Sequence, residues 1–289
     1  MFNKGSELLD LCTRGNMKIS DVVIEKEIKI NNSSLEDVFD IMRKTFTVME
    51  KSATDALDKE IRSVSGLTGG NAKKVEDYKN SSRTLSGIFI NSAMSKALST
   101  SEVNASMGKV CAAPTAGASG ILPSAILSAR EKLQVDDEST IRGLFTAAGI
   151  GEIVAKNATV SGAEGGCQAE CGVAAAMAAA GIVEMAGGSP KMSLDAAGFA
   201  LINIMGLVCD PIAGLVEYPC SLRNASGVVN ALISADMAMA GVEALVPFDE
   251  VVEALYKVGK ALPESLRETA LGGIAATATG KELSRRLFS

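Results

Sequence analysis

Apolar residues recur at helical spacing through the first hundred residues, with polar stretches between the apolar runs. Residues 5–14 place their leucines on one face before Gly15 and Asn16 interrupt the pattern. Ser34 and Asp37 resemble a capping pair in front of a longer helix. The apolar positions of that helix are Leu35, Val38, Ile41, Met42 and Phe46. We interpret these N-terminal helices as scaffold.

The helical pattern continues to the end of the chain, and almost no stretch alternates as a strand should. The exception is an ambiguous run over residues 22–30. Further helices are predicted over residues 81–100, 141–159, 167–186, 194–208, 224–239 and 248–262. Ser193 is predicted to cap the helix over residues 194–208. The prediction is therefore a mainly α fold. It consists of a single all-helical domain over residues 1–289, with N-terminal helices in 1–100 and a core in 101–289 that carries Gly/Pro-rich loops.

Composition narrows the class of protein. The 289 residues are 47% hydrophobic with a net charge of −6, and small residues are abundant, which favours closely packed helices. We find no basic cluster interleaved with aromatic residues, which argues against a nucleic-acid partner. The longest uncharged run, between Lys109 and Arg130, contains two prolines and is unsuited to a membrane span. Because no signal-peptide pattern opens the chain, we expect a cytoplasmic protein with reduced thiols.

Two glycine-rich loops interrupt the helices. The loop over residues 63–74 combines glycines with hydroxyls, but it lacks the preceding strand and the spacing of a nucleotide-binding loop. Such a loop at a helix start could hold a small carboxylate, and an ordinary turn is the simpler alternative. The loop over residues 111–120 precedes a predicted helix and would let a ligand, or another helix, approach the backbone closely.

Four of the six cysteines lie in two glycine-framed segments, and the chain contains no histidine. Cys167 and Cys171 are one helical turn apart, whereas Cys209 and Cys220 flank a loop. Thiolates presented from loops and helix ends are suitable ligands for an iron-sulfur cluster. From the spacing alone, ligation by three cysteines, ligation by all four and four buried structural cysteines stay open, because this is not the short spacing of zinc ribbons or ferredoxins.

The segments 65–71, 113–120, 161–168 and 206–220 resemble the signatures of the iron-sulfur-dependent L-serine dehydratase α subunit. The resemblance extends over essentially the whole chain. It implies a largely α-helical domain and a 4Fe-4S cluster, with no pyridoxal phosphate. Carried onto this chain, the implied cluster ligands are Cys167, Cys209 and Cys220. The family usually has another residue type at Cys171, which we therefore assign to packing or to a spare thiol.

The resemblance also implies a reaction. The iron without a protein ligand would act as a Lewis acid on the β-hydroxyl of L-serine, while a base removes the α-proton, and the products would be pyruvate and ammonia. This chain lacks the histidine-containing motif that the family carries in its β region. We therefore expect a β-subunit partner that supplies the base and contacts to the substrate carboxylate.

Five residues near the loops are candidates for contact with the substrate: Pro114, Thr115, Gly117, Glu164 and Asn224. Each has a structural alternative, since Thr115 could cap a helix, Glu164 could form an ion pair and Asn224 could satisfy a turn. Lys109 would be a base only if it were buried. Two other hypotheses are a non-catalytic iron-sulfur or zinc protein that uses all four cysteines, and a helical scaffold with inert cysteines.

Overall fold

The computed structural model describes residues 1–81 and 83–288, so that Ser82 and Ser289 lie outside the described residues. The described chain forms thirteen α-helices: α1 (Gly5–Gly15), α2 (Ile19–Asn31), α3 (Leu35–Thr54), α4 (Asn71–Lys79), α5 (Gly87–Ala105), α6 (Ile121–Leu133), α7 (Asp137–Asn157), α8 (Gly162–Gly165), α9 (Val173–Met185), α10 (Pro190–Ile204), α11 (Cys220–Met239), α12 (Phe248–Ala261) and α13 (Ala278–Phe288). A π-helical turn, Gln168–Gly172, joins directly onto α9, and single 3-10 turns are present at Ile212–Gly214, Glu264–Leu266 and Gly273–Ala276.

The predicted all-helical class is confirmed. Only two isolated β-bridges occur among the described residues, and neither extends into a strand. The ambiguous run over 22–30 is part of α2. The capping pair before α3 is also confirmed, because Ser34 Oγ accepts from the amide of Asp37 while the Asp37 carboxylate accepts from the amide of Ser34.

Helix α9 forms the centre of the fold. All thirteen of its residues are buried, and α6, α7, α10 and α11 pack around it. Its alanines and glycine allow close approach, as the composition predicted. A Cβ added at Gly181 would lie 2.5 Å from the backbone oxygen of Gly143 on α7, so this crossing requires glycine. One hydrophobic core extends from Phe2 to Leu255 and includes residues of the N-terminal helices.

Three helices receive a carboxylate at their N-terminus from a distant part of the chain. Asp249 accepts from the amides of Gly5 and Ser6 at the start of α1, at 2.6 and 3.0 Å. Glu184 accepts from the amide of Ser20 in α2, and Glu102 accepts from the first two amides of α4. A negative charge at this position satisfies free amides and complements the helix dipole. These contacts therefore tie the N-terminal helices to the core.

Three helices begin earlier than predicted: α7 begins at Asp137 instead of residue 141, after its cap Asp136, and the other two begin at or directly after a proline. Helix α10 begins at Pro190 instead of Leu194, and its cap is Ser189, whose hydroxyl accepts from the amide of Met192, rather than Ser193. Helix α11 begins at Cys220, directly after Pro219, instead of at Asn224. Proline suits the first position of α10 because that position needs no amide donor, and Pro219 is the N-cap of α11. The earlier start of α11 places Cys220 in the first turn of that helix.

Among the described residues, no helix has the length and apolar character needed to cross a membrane.

Candidate active site

Four cysteines from three segments lie together at the π-helical turn, which itself contains Cys171. Cys167 precedes this turn, and its Sγ lies 3.3 Å from Sγ of Cys171. Cys209 is held by backbone hydrogen bonds on both sides, from its own amide to Leu266 and from the amide of Glu268 to its carbonyl. Cys167, Cys171 and Cys209 are buried, whereas Cys220 is partly exposed. We call these four thiols the cysteine floor; only Cys220 among them is not fully buried.

Gly166 determines the backbone conformation directly before Cys167. Its φ of +75° lies in the left-handed region, and a Cβ there would lie 2.8 Å from the carbonyl oxygen of Leu207. An alanine at this position would therefore be strained in its backbone and would also collide with the segment that leads to Cys209. The glycine requirement brings the Cys167 and Cys209 segments side by side.

The four thiols share negative charge unequally. Hydrogen bonds from the thiols of Cys171 and Cys209, helped by the charge of Arg223, hold the pKa of Cys167 well below its ordinary value. The same hydrogen bonds, together with burial, raise the pKa values of Cys171 and Cys209. Burial and the nearby charge of Cys167 raise the pKa of Cys220 to about 12. The metal-free site therefore favours one thiolate, centred on Cys167.

Arg223 is the cation at this floor. Its guanidinium donates to the backbone oxygen of Val208 at 2.8 Å and to Asp210 Oδ1 at 2.7 Å, and it also contacts Cys167. Both Arg223 and Asp210 are largely buried. Asp210 in turn accepts from the amide of Ile274 at 2.8 Å. This network fixes a positive charge beside the thiolate.

Glu170 is partly buried and lies beside Cys209. Its Oε1 accepts from Thr115 Oγ1 at 2.8 Å, and its Oε2 accepts from the Cys209 thiol at 3.8 Å. Burial and the negative charge of Cys167 raise the pKa of Glu170 to about 7. The carboxyl group therefore links the loop over 111–120 to the cysteine floor.

The five predicted substrate contacts do not all lie together. Thr115 and Gly117 flank Glu170, since a Cβ at Gly117 would lie 3.5 Å from Glu170 Oε1. Pro114 precedes Thr115 and follows a cis peptide bond. Glu164 is exposed, and its carboxylate pairs with no lysine or arginine in the described part of the chain. Lys109 is likewise exposed.

Asn224 is buried and bonds only to backbone groups. Its side-chain amide donates to the carbonyls of Gly117 and Cys220, at 2.6 and 2.8 Å, and its Oδ1 accepts from the amide of Gly120 at 2.9 Å. These bonds hold the 111–120 loop against the start of α11. These are the bonds expected of the turn-stabilising role that is the alternative to substrate contact.

The hydroxyl-rich loop around residues 63–70 binds a carboxylate of the protein itself. Ser65 Oγ and Thr68 Oγ1 donate to Oε2 of Glu217, at 2.9 and 3.1 Å. Glu217 is buried and lies in the loop between Cys209 and Cys220. The contact therefore fixes the segment that presents Cys220.

Sequence reasoning missed Glu170, Arg223 and Glu217. A weak signal was present, because each lies three residues from a predicted ligand, although only Arg223 shares an α-helix with its ligand, Cys220. Spacing of this kind also occurs by chance in helical proteins. It could not indicate which of these charged side chains turn toward the thiols.

The donor set fits an iron-sulfur cluster in its chemistry. Soft thiols from Cys167, Cys209 and Cys220 lie near one another, and Arg223 adds a positive charge beside them. Gly162 packs directly against Cys209 and Glu170. A Cβ at this position would lie 3.1 Å from Cys209 Sγ and 2.5 Å from Glu170 Oε2, so the contact requires glycine. Within residues 1–81 and 83–288, no group of three or more His, Cys, Asp or Glu side chains is arranged to hold a single metal ion.

Comparison with known proteins identifies the family. Residues 14–275 match the family model described as serine dehydratase alpha chain. The chain is 51% identical to the L-serine dehydratase alpha chain of Peptoniphilus asaccharolyticus, over 99% of this chain and 98% of that protein. It is 49% identical to a probable L-serine dehydratase alpha chain of Bacillus subtilis, over 100% of this chain and 96% of the relative. It is also 36% identical to L-serine dehydratase TdcG of Escherichia coli, over 95% of this chain and 61% of that protein. The chain therefore belongs to the serine dehydratase alpha chain family.

Proposed function

We propose that this chain is the alpha subunit of an iron-sulfur-dependent L-serine dehydratase. The enzyme would be a carbon-oxygen lyase that converts L-serine to pyruvate and ammonia without pyridoxal phosphate. The names of the relatives support the reaction. The observation that most supports the cofactor is the convergence of the thiols of Cys167, Cys209 and Cys220 beside Arg223.

In this proposal, Cys167, Cys209 and Cys220 hold a 4Fe-4S cluster as thiolates. The cluster, when bound, supplies Lewis acidity toward the β-hydroxyl of serine. Arg223 offsets part of the negative charge that three thiolates bring into a buried site, and Asp210 keeps its guanidinium in place. Cys171 is left as a spare thiol beside Cys167.

Residues of the loop over 111–120 would face the substrate. Pro114, Thr115 and Gly117 form one wall, and Asn224 acts by holding that wall against the start of α11. Glu164 stays a candidate for contact with the substrate because it follows Gly162 by two residues. Its carboxylate is exposed. In this proposal the substrate enters on the side of Cys220, the one partly exposed thiol of the four.

A β subunit would close this opening and supply the general base. The chain contains no histidine, and Lys109, the lysine considered as a base, is exposed. The alpha-chain names of the first two relatives are consistent with a second subunit. This chain also aligns with only 61% of the E. coli relative, which has room for a further region. We place the enzyme in the cytoplasm, where thiols stay reduced.

Anaerobic reconstitution tests the proposal. The alpha chain is loaded with iron and sulfide, mixed with its β partner and assayed for pyruvate formed from L-serine. We expect activity in the wild type and in Cys111→Ala, whose thiol is outside the proposed ligand set. We expect neither activity nor the cluster absorption in Cys209→Ala. A Cys209→Ala variant with full activity would overturn the ligand assignment.

The distance of 3.3 Å between Sγ of Cys167 and Sγ of Cys171 favours one second candidate. This is a non-catalytic iron-sulfur or zinc protein in which all four cysteines bind the metal. It requires Cys171→Ala to lose metal as completely as Cys167→Ala. The dehydratase proposal requires Cys171→Ala to keep its iron and sulfide, so metal analysis of these two variants separates the candidates.

A further inference from the structure

Asp210 follows the proposed ligand Cys209 directly and carries a buried carboxylate. Each of its two oxygens accepts one hydrogen bond. Oδ1 accepts from the Arg223 guanidinium at 2.7 Å, and Oδ2 accepts from the backbone amide of Ile274 at 2.8 Å. The two donors belong to different parts of the chain, so this one side chain joins three segments: its own, helix α11 and the turn Gly273–Ala276.

The bond from Arg223 connects Asp210 with the other two proposed ligands. Arg223 lies one helical turn after Cys220 in α11. Its guanidinium also contacts Cys167, and it donates to the backbone carbonyl of Val208 at 2.8 Å. A displacement of the Asp210 carboxylate would therefore move the cation that joins the three cysteine-bearing segments.

The other oxygen connects Asp210 with the segment over residues 264–276, to which its donor belongs. This segment also holds the backbone of Cys209, which forms hydrogen bonds with it through both its amide and its carbonyl. Gly273 packs directly against the Asp210 carboxylate at a φ of +59°, and a Cβ at this glycine would collide with the carboxylate. The fit of the segment against residues 209–210 therefore requires glycine.

We propose that Asp210 is a positioning residue for the iron-sulfur cluster, which fixes the relative positions of the thiols of Cys167, Cys209 and Cys220. Two donors from different segments require a side chain with two acceptor oxygens. Aspartate provides them and asparagine does not, because the side-chain nitrogen of asparagine is itself a donor. Groups that orient metal ligands affect metal binding although they do not touch the metal. The inference rests on the proposed function, because it assumes that these three thiols hold the cluster.

Asp210→Asn tests this role, and Asp249→Asn is its matched control. Asp249 also accepts one hydrogen bond on each oxygen, from the amides of Gly5 and Ser6, but these bonds join α1 to α12. The wild type and both variants are loaded with iron and sulfide as full-length chains without oxygen. We would measure the rate of iron loss to a ferrous chelator and the electron paramagnetic resonance spectrum of the dithionite-reduced cluster. Circular dichroism and urea denaturation of the metal-free chains report folding and stability.

We expect Asp210→Asn to lose iron at least about tenfold faster than the wild type, the scale seen when the partner of a metal-binding group is removed. Its resonance spectrum should also shift, because the guanidinium beside Cys167 is no longer held in place. Asp249→Asn should lower the urea midpoint, keep the wild-type spectrum and lose iron within about twofold of the wild-type rate. A wild-type rate and spectrum in Asp210→Asn would overturn the inference. Equal changes in both variants would also overturn it, because they would reflect a general loss of stability.

Gly273→Ala provides a second test if Asp210→Asn does not fold. It keeps the Asp210 carboxylate and displaces it with the added methyl group. Gly241→Ala is the control, because Gly241 also has a positive φ, of +88°, but nothing lies within 4 Å of its added Cβ. Both substitutions strain the backbone, and only Gly273→Ala should accelerate iron loss and shift the spectrum. The same response in both variants, or in neither, would overturn the inference.

The proposed function would fail in a different way. A wild-type chain that takes up no cluster would overturn the proposed ligands and this inference together. A loaded wild type that forms no pyruvate from L-serine with its β partner would overturn only the proposed reaction.

Discussion

The thiol of Cys171 lies against the thiol of Cys167, with 3.3 Å between the two Sγ atoms, in a part of the site where both residues are buried. The π-helical turn Gln168–Gly172 carries Cys171 back toward Cys167. A low pKa makes Cys167 the more nucleophilic partner, because the thiolate is the reactive form. The pair is therefore arranged for oxidation whenever no metal occupies Cys167.

We predict that hydrogen peroxide converts the metal-free chain to a form with a Cys167–Cys171 disulfide. Each thiol loses one hydrogen atom, and the peroxide is reduced to two molecules of water. Peptide mass mapping should show the loss of two hydrogen atoms from the peptide that contains both residues. Cys12, which is buried elsewhere and whose pKa is raised to about 11 mainly by burial, should stay a thiol. A disulfide between Cys167 and Cys209 instead would contradict this prediction.

Asn224→Ala should destabilise the protein. The substitution leaves the Gly120 amide and the carbonyls of Gly117 and Cys220 without their side-chain partner in a buried setting. We expect a loss of about 2–3 kcal/mol in the free energy of unfolding, measured by urea denaturation. Ser226→Ala, an exposed position on the same helix, should change this free energy by less than about 0.5 kcal/mol. Similar values for both variants would refute the bridging role of Asn224.

Glu102 should make stability depend on pH. Burial raises its pKa above the ordinary 4.5, although the α4 amides that it accepts from act in the opposite direction. The folded state therefore holds this proton more tightly than the unfolded state. The resulting stabilisation is complete below the unfolded pKa and is lost as the pH rises through the folded pKa.

Glu102→Gln removes this titration and keeps an acceptor for α4. We predict that the stability of the wild type relative to this variant falls as the pH is raised from below 4.5 toward neutrality. Thermal unfolding over that range measures the difference. Glu243→Gln serves as the control, because it removes an exposed carboxylate away from α4. A wild type that gains relative stability with rising pH would show that the amide donors outweigh burial.

Glu217→Ala should loosen the loop that presents Cys220. Ser65 and Thr68 lose their common acceptor, so the two loops are no longer joined by these hydrogen bonds. We predict faster amide hydrogen exchange over residues 63–70 and 211–219, while α9 keeps its protection because it lies in the core. Glu217→Gln retains a carbonyl acceptor and should show a smaller increase. Unchanged exchange in the alanine variant would rule out this clamp.

Much of the helical layout could be predicted from local patterns, and the errors have identifiable causes. The break between α7 and α9 was visible in its glycines and hydroxyls. The starts of α10 and α11 were missed because Pro190 was interpreted as part of a helix stop and Pro219 as part of a loop, although α10 begins at Pro190 and α11 directly after Pro219. A proline can follow the end of one helix or stand at the start of the next. Which of the two applies depends on how the residues after the proline pack in the folded protein.

By itself, the sequence determined that the fold is helical, that small residues let the helices approach closely and that thiols are the available soft ligands, because it contains no histidine. Only the tertiary structure decided which polar groups join the thiols. Thr115 meets Glu170 across 55 residues, and Ser65 meets Glu217 across 152. Periodicity records which face of a helix is apolar, since that depends on neighbours in the sequence. The partner that a polar side chain meets depends on how whole helices pack, and this information is spread over the entire chain.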